Sequence, residues 1–279
     1  MDECALERVG KGIHTMLIIG ERINSSRKPV SEAISSRDAV FIQCEAKAQA
    51  MAGADYIDVN AGTFLGEEAE RLKWVIERVQ EVIDLPLSID SPDPGVIKAM
   101  VPLVRRTPII NSITLEPSRL EGILPLVAEY RTKVVALCQS EKTVSDKAEK
   151  KVAMAGKLVE KVTGAGIPIG DLYIDPLVYP LSANNQSALA TLEAIEQIMK
   201  EFPGVHTTCG LTNVSYGLPN RKLVNRNFLV AAISRGLDSA ILDPTDKQLY
   251  GALKSALMIV GQDEYCMQYI KGFREGRFG

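Results

Sequence analysis

Residues 55–90 read DYIDVNAGTFLGEEAERLKWVIERVQEVIDLPLSID and contain two short apolar runs separated by a longer amphipathic segment. The runs 55–62 and 85–90 are rich in β-branched residues, as expected for strands buried on both faces. The segment over about 66–82 has the spacing of a helix, and Asp84-Leu85-Pro86 marks its exit. The stretch therefore predicts a strand, a helix and a second strand in sequence.

The same alternation runs along the whole chain. Six further apolar runs predict strands: MLIIG (16–20), PIINSI (108–113), KVVALCQ (133–139), DLYIDPL (171–177), VHTTCGL (205–211) and DSAILD (238–243). Helical patterns follow at about 31–52, 93–104, 117–131, 144–165, 186–201, 224–235 and 246–260, with another at about 264–275. We expect helix caps at Ser31, Asp93 and Ser145. Eight strand–helix units predict an α/β fold, a (β/α)8 TIM barrel forming one domain over residues 16–279.

An open doubly wound sheet is the alternative to the barrel. The regular units favour closure, and neither G-x-G-x-x-G after the first strand nor G-x-x-x-x-G-K-[ST] is present. Residues 1–15, MDECALERVGKGIHT, are polar, do not resemble a signal peptide and are expected to be a flexible lead-in.

Composition excludes several classes of protein. The net charge of −3 and the lack of a long basic run argue against nucleic-acid binding. No apolar stretch reaches the roughly 18 residues that would predict a membrane span. The five cysteines are dispersed without a C-x-x-C pair, which indicates reduced thiols and a cytoplasmic protein. Two histidines are too few for a His-rich metal site, so we expect no bound metal.

Polar side chains stand where the predicted strands end. In a TIM barrel these ends form one rim, and the rim carries the chemistry. The rim is made of carboxylates and amides: Glu21, Asn24, Asp58, Asn60, Asp90, Asn111, Gln139, Asp175, Asn213 and Asp243. It lacks a lysine for Schiff-base chemistry and a Ser-His-Asp arrangement.

Such a rim suits a flat heterocycle. Carboxylates match an amidine-like edge with a ring N–H beside an exocyclic amine, and Asn amides match the carbonyl and the remaining ring nitrogens. A pterin or a purine has these groups. Each residue also has a structural interpretation: Asp58 and Asp243 as helix caps, Asp90 and Asp175 as turn residues, the Asn side chains as partners of loop backbone.

The order of motifs is similar to that of a known family. MLIIGERIN, GADYIDVNAG, LPLSIDSPDP, IINS, LYIDPLVYPL, GLTNVSYGLPNR, LVNRNFL and GLDSAILDP together resemble the methyltetrahydrofolate:corrinoid-protein methyltransferases over residues 16–275. This pterin-binding group also includes the folate module of methionine synthase and, more distantly, dihydropteroate synthase. The resemblance implies a homodimeric TIM barrel that binds methyltetrahydrofolate at its top rim and transfers the methyl group.

The resemblance also implies roles for particular residues. Three look like pterin ligands: Asp90 in SIDS, Asn111 in IINS and Asp175 in YIDP. Asn213 in GLTNVS looks like the family's mobile amide that reaches N5, with Gly210 and Ser215 shaping its loop. Asn213 is expected to act as a hydrogen-bond donor, with the proton arriving through water organised by Asp90 or Asn111. Four rim residues are similar to family rim positions: Glu21, Asn24, Asp58 and Asn60.

The sequence also bears on where the corrinoid is bound and on the direction of methyl transfer. Neither His14 nor His206 lies in a D-x-H-x-x-G motif for base-off cobalamin, so the corrinoid is expected on a separate protein. The direction of transfer between tetrahydrofolate and corrinoid stays open. Arg221, Lys222 and Arg226 are candidates for the folate glutamate tail or the partner, or are plain surface charges.

Two other functions remain as alternatives. A dihydropteroate synthase-like enzyme would need the glycine pair and lysine that are missing from DPLVYPLS, the segment that begins at Asp175. A non-catalytic pterin carrier would keep the pterin ligands and have no use for Asn213.

Overall fold

The computed structural model describes residues 16–140 and 147–279. Eight parallel strands form one sheet in which neighbours follow chain order, with β8 beside β1. Their bounds are β1 (Leu17–Asn24), β2 (Tyr56–Asn60), β3 (Leu87–Asp90), β4 (Ile109–Ile113), β5 (Lys133–Leu137), β6 (Leu172–Asp175), β7 (His206–Thr207) and β8 (Ser239–Leu242). The lead-in predicted for residues 1–15 and the cap predicted at Ser145 lie outside the described residues.

The sheet closes beyond the end of β7, which is only two residues long. There Gly210 forms a parallel bridge with Ile241, and the Ile241 N–H donates to the Cys209 carbonyl at 2.9 Å. The predicted (β/α)8 barrel is therefore confirmed, and the open-sheet alternative is wrong.

Ten helices are described around the sheet. They are α1 (Lys28–Ser36), α2 (Ala39–Met51), α3 (Glu68–Gln80), α4 (Pro94–Met100), α5 (Pro117–Tyr130), α6 (Ala148–Gly164), α7 (Ser187–Glu201), α8 (Arg221–Ser234), α9 (Lys247–Ile259) and α10 (Met267–Arg274). In the part of the chain that is described, no helix combines the length and hydrophobicity needed to cross a bilayer.

The first predicted helix is in fact two. Arg37 adopts a left-handed conformation with φ 58° and ends α1, and the Asp38 carboxylate then caps α2 by accepting the Phe41 N–H at 3.0 Å. Ser31 lies inside α1 and is not its cap. Asp93 caps α4 as expected, accepting the Gly95 N–H at 2.7 Å.

Side-chain alternation along the strands separates the core from the rim. In β2, Ile57 and Val59 belong to the main core shared with the helices, whereas Tyr56 belongs to a second apolar cluster. That cluster takes residues from five strands, Ile19, Tyr56, Ile109, Val135 and Tyr173, and so fills the barrel interior. Because side chains alternate, Asp58 and Asn60 follow Tyr56 on the inner face, closer to the carboxyl end.

Candidate active site

The inner face carries polar side chains above its apolar floor. The same two-residue spacing continues Ile109 to Asn111 in β4 and Tyr173 to Asp175 in β6, and it places Ser88 and Asp90 together in β3. Five predicted rim residues, Asp58, Asn60, Asp90, Asn111 and Asp175, therefore project towards the carboxyl-end mouth. All five residues lie within strands and not in loops; the strands are β2, β3, β4 and β6.

Three of the strands are tied together by side-chain hydrogen bonds. The Asn60 Nδ2 donates to Asp90 Oδ2 at 3.1 Å, joining β2 to β3. Asp58 accepts from the Ser88 hydroxyl at 2.7 Å and from the Asn111 amide at 3.4 Å. The network fixes Asp90 and Asn111, the two predicted ligands on adjacent strands.

The carboxyls of this face have raised pKa values. Burial, followed by the neighbouring Asp90 carboxylate, holds the pKa of Asp58 well above its usual range. Burial raises the pKa of Asp90 to about 6, although Asn60 and Arg119 oppose the rise. Burial also raises the pKa of Asp175 to about 6. At pH 7, Asp90 and Asp175 are therefore mostly ionised hydrogen-bond acceptors, whereas Asp58 retains its proton more readily.

Asp175 is held by backbone groups and by a buried lysine. Its carboxylate accepts the Leu177 N–H at 2.7 Å and the backbone N–H of Gly210. Lys151, from α6, donates to the carbonyls of Pro176 and Leu177 at 2.5 and 2.6 Å, and its charge lowers the pKa of Asp175. Lys151 was not among the residues predicted from the sequence. The available signal was a lysine on the apolar face of α6, between Ala148 and Val152.

The segment after β7 forms a 3₁₀ turn, Leu211–Ser215, that presents Asn213 at the surface. A methyl group on Gly210 would lie 3.0 Å from the Asn213 amide nitrogen, so glycine leaves room for that amide. Ser215 is fully buried; its hydroxyl donates to the Thr212 carbonyl and accepts from Arg221. The buried Ser215 and the exposed Arg221 thus hold the turn in place.

A cavity of about 710 Å³ opens beside this turn. Its lining includes six of the residues predicted for the site, Glu21, Asn24, Gly210, Asn213, Arg221 and Asp243, whereas Asp90, Asn111 and Asp175 lie outside the lining. The two groups adjoin at Gly210, which lines the cavity and donates to Asp175, and at Glu21, whose charge raises the pKa of Asp58.

Other predicted residues have structural partners. Asp243 accepts from Arg22 at 2.8 Å and from Thr245, and Asn24 accepts the Ser26 N–H at 2.9 Å. The half-buried Gln139 bonds through its backbone to Leu115 and Leu137.

Two of the candidate basic residues are also engaged. Lys222 pairs with Asp246 at 3.2 Å, and Arg226 donates to Gln248 at 2.8 Å. Within residues 16–140 and 147–279, no group of three or more His, Cys, Asp or Glu side chains is arranged to hold a metal ion.

The chain is similar to known proteins over most of its length. Residues 20–243 match a family described as pterin binding enzymes. The chain is 40% identical to a methylcorrinoid:tetrahydrofolate methyltransferase of Eubacterium limosum over 266 residues, which are 95% of this chain and 98% of that protein. It is 32% identical over 241 residues to a methionine synthase of Mycobacterium tuberculosis, covering 82% of this chain and 20% of that protein.

Solved structures of similar fold include dihydropteroate synthases. The enzyme from Xanthomonas albilineans with 4-aminobenzoic acid has a TM-score of 0.65 at 21% identity, covering 89% of this chain and 93% of that one. The enzyme from Vibrio fischeri has a TM-score of 0.67 at 16% identity, covering 90% and 95%. At these identities the likeness concerns the fold alone.

Proposed function

The chain belongs to the family of pterin-binding enzymes, and we propose that it is a methyltransferase acting between tetrahydrofolate and a corrinoid. The methyl group moves between N5 of tetrahydrofolate and the cobalt of a corrinoid held by a separate protein. The observation that carries the proposal is the row of inward carboxylates and amides next to the cavity that Asn213 lines. The 40% identity to the E. limosum methyltransferase over nearly the whole chain supports it.

The inner face matches the polar edge of a pterin. Asp90 and Asp175, with pKa values of about 6, accept the ring N–H and the exocyclic amine as carboxylates at neutral pH. Asn111, held by Asp58, has both a donor and an acceptor for the ring carbonyl and nitrogens. Asn60 and Lys151 bind no substrate in this arrangement and keep the two carboxylates in place.

Asn213 would act at N5. A methyl group leaves N5 readily only when that nitrogen does not accumulate negative charge, so a donor at N5 favours the transition state over the ground state. The Asn213 amide does not titrate and therefore contributes a hydrogen bond, with the proton coming from another group. Gly210 leaves space for this amide, and Arg221 fixes the turn that carries it.

The name of the E. limosum relative gives a methylcorrinoid and tetrahydrofolate as its substrates. Transfer from a methylated corrinoid to tetrahydrofolate is therefore the direction that we propose to test first. A corrinoid bound to a partner protein must reach N5, and the cavity beside Asn213 supplies an opening at the carboxyl end of the barrel.

We also propose that the enzyme is cytoplasmic and forms a homodimer. Four cysteines are free thiols in the described residues, which suits a reducing compartment. Exposed apolar side chains in and next to α9 and α10, among them Ile259, Met267 and Phe273, supply surface that a second copy could cover.

The test follows the cobalt absorption spectrum during methyl transfer from methylcobalamin to tetrahydrofolate, and from methyltetrahydrofolate to reduced cobalamin. Tetrahydrofolate binding is titrated in parallel, and formation of dihydropteroate from 4-aminobenzoate and a pterin diphosphate is assayed as a control. Enzyme-dependent transfer supports the proposal. Tight folate binding with no methyl transfer in either direction would instead indicate a pterin carrier, and dihydropteroate formation would indicate a synthase.

A further inference from the structure

Glu21 occupies an unusual position at the end of β1. Gly20 pairs with Ile57 and Ile23 pairs with Val59, so three steps along β1 match two steps along β2. The bulge falls on Glu21 and Arg22, and a bulge changes the direction of the side chains it contains. Arg22 turns to Glu45 and Asp243, whereas Glu21 lines the cavity and accepts a hydrogen bond from the Thr212 hydroxyl at 3.3 Å.

Thr212 connects Glu21 to the proposed N5 donor. It immediately precedes Asn213 in the 3₁₀ turn, and both residues line the same cavity as Glu21. The carboxyl of Glu21, at the end of β1, and the amide of Asn213, after β7, therefore line the same cavity.

The charges around Glu21 leave it without a strong counter-ion. Asp58 in β2 and Asp243, directly after β8, place negative charge near it, and the adjacent cation, Arg22, forms ion pairs with Glu45 and Asp243. Burial, followed by the Asp243 charge, raises the pKa of Glu21 to about 7, against the opposing effects of Thr212 and two arginines, Arg27 and Arg221. The group can therefore both give and take a proton near neutral pH.

The other carboxylates that line the cavity are engaged in ion pairs. Among the described residues of the lining, three carry carboxylates, and Asp243 and Asp246 are both in ion pairs, with Arg22 and Lys222. Asp246 also caps α9. Glu21 is the remaining acid of the described lining.

We infer that Glu21 is the acid–base group that exchanges the proton of N5, an inference that rests on the proposed methyl transfer. When tetrahydrofolate accepts the methyl group, the N5 lone pair forms the bond to the methyl carbon. The electron pair of the broken carbon–cobalt bond stays on the corrinoid, and the N5 proton passes to the Glu21 carboxylate. In the opposite direction protonated Glu21 gives its proton to N5, and the methyl carbon leaves for the corrinoid. Asn213 supplies a hydrogen bond in both directions.

The central experiment compares wild-type enzyme with Glu21→Gln in single-turnover methyl transfer to and from free cobalamin. Glutamine keeps the size of the side chain and its hydrogen bond with Thr212, and it cannot titrate. We expect a fall in rate of about 10²-fold in both directions, within the range typical of acid–base groups, with tetrahydrofolate affinity changed less than about threefold. Glu32→Gln, an exposed glutamate of α1, is the matched control and should retain the wild-type rate.

The pH profile gives a readout that a structural role would not affect. Asp90 and Asp175 also titrate in the acid range, so the comparison with Glu21→Gln isolates the contribution of Glu21. In wild-type enzyme the rate constant for transfer to tetrahydrofolate should rise with pH through about 7, and that for the reverse transfer should fall. In Glu21→Gln, neither the rise nor the fall near pH 7 should be seen.

The outcomes separate the inference from the proposed function. If the wild-type enzyme transfers no methyl group, the proposed function fails. If it does, and Glu21→Gln retains its rate and pH profile, the inference alone is overturned. If Glu21→Gln no longer binds tetrahydrofolate, the pH–rate profile of Glu21→Asp is measured instead. A profile whose midpoint differs from that of wild type supports the inference, and an unchanged midpoint contradicts it.

Discussion

Asn60 donates to Asp90 through its side-chain nitrogen, at 3.1 Å to the carboxylate and 3.3 Å to the carbonyl. The other end of the same amide accepts from the Ser25 hydroxyl at 2.9 Å and from the Gly62 N–H at 3.1 Å. The amide is therefore fixed at both ends, and it orients a proposed pterin ligand that lies on the neighbouring strand.

Replacing Asn60 by alanine should weaken tetrahydrofolate binding by about 10-fold or more, because a hydrogen bond to a charged group is worth roughly 1.5–3 kcal/mol. The Asn60 hydrogen bond lowers the pKa of Asp90, so its loss raises that pKa and moves the acid limit of binding to higher pH. Titration of tetrahydrofolate binding between pH 5 and pH 8 measures both effects. Ser25→Ala removes a contact on the far side of the amide and should have a smaller effect. Equal effects of the two substitutions would contradict the proposed role of Asn60.

Asn213→Ala tests the proposed donor at N5. Loss of one such donor typically costs about 10²–10³ in rate, so turnover should fall by that factor while tetrahydrofolate affinity changes little. Stopped-flow transfer with free cobalamin and an equilibrium titration separate the two quantities. Gly210→Ala, which crowds the Asn213 amide, should shift the rate in the same direction by a smaller factor. Asn227→Ala, on the exposed face of α8, is the control, and normal turnover by Asn213→Ala would refute the mechanism.

The strands were predictable because each is a short β-branched run between helical segments. The regular strand–helix units also predicted a closed barrel, but not the contact that closes it, because that contact joins the Cys209 and Ile241 backbones, which are far apart in sequence. The division of the first helix at Arg37 was not predictable either. The helical pattern continues across Arg37, and an arginine does not indicate the left-handed conformation that ends the helix there.

The rim residues could be chosen from strand ends, but their partners could not. The link between Asn60 and Asp90 follows from strand register, and the contacts of Lys151 follow from how α6 packs on the loop after β6. The sequence GERIN does not predict the bulge that directs Glu21 into the cavity. The division of the rim between the inner face and the cavity is likewise a property of the assembled barrel.

Lys151→Met should disturb the loop that holds Asp175. The carbonyls of Pro176 and Leu177 would lose their buried donor, at a cost of about 1–3 kcal/mol for a buried group left unsatisfied. Loss of the lysine charge would also raise the pKa of Asp175, so tetrahydrofolate binding should weaken at neutral pH. Thermal unfolding and a folate titration are the measurements. Lys150→Met, the exposed neighbour, should behave as wild type, and indistinguishable results for the two variants would show that Lys151 has no such role.

The stability of Glu21→Gln should depend on pH relative to wild type. The folded-state pKa of Glu21 is raised from 4.5 to about 7, so its contribution to stability is complete below pH 4.5 and is lost as the pH rises through 7. Such a rise in pKa corresponds to at most about 3 kcal/mol, and to less where cavity water screens the carboxylate. Glutamine never ionises, so the stability of the variant relative to wild type should increase between pH 5 and pH 8. Denaturant midpoints of both proteins, measured at each pH, give this difference. A difference that stayed constant from pH 5 to pH 8 would mean that Glu21 titrates alike in the folded and unfolded chain, and that it is not poised to exchange a proton near neutrality.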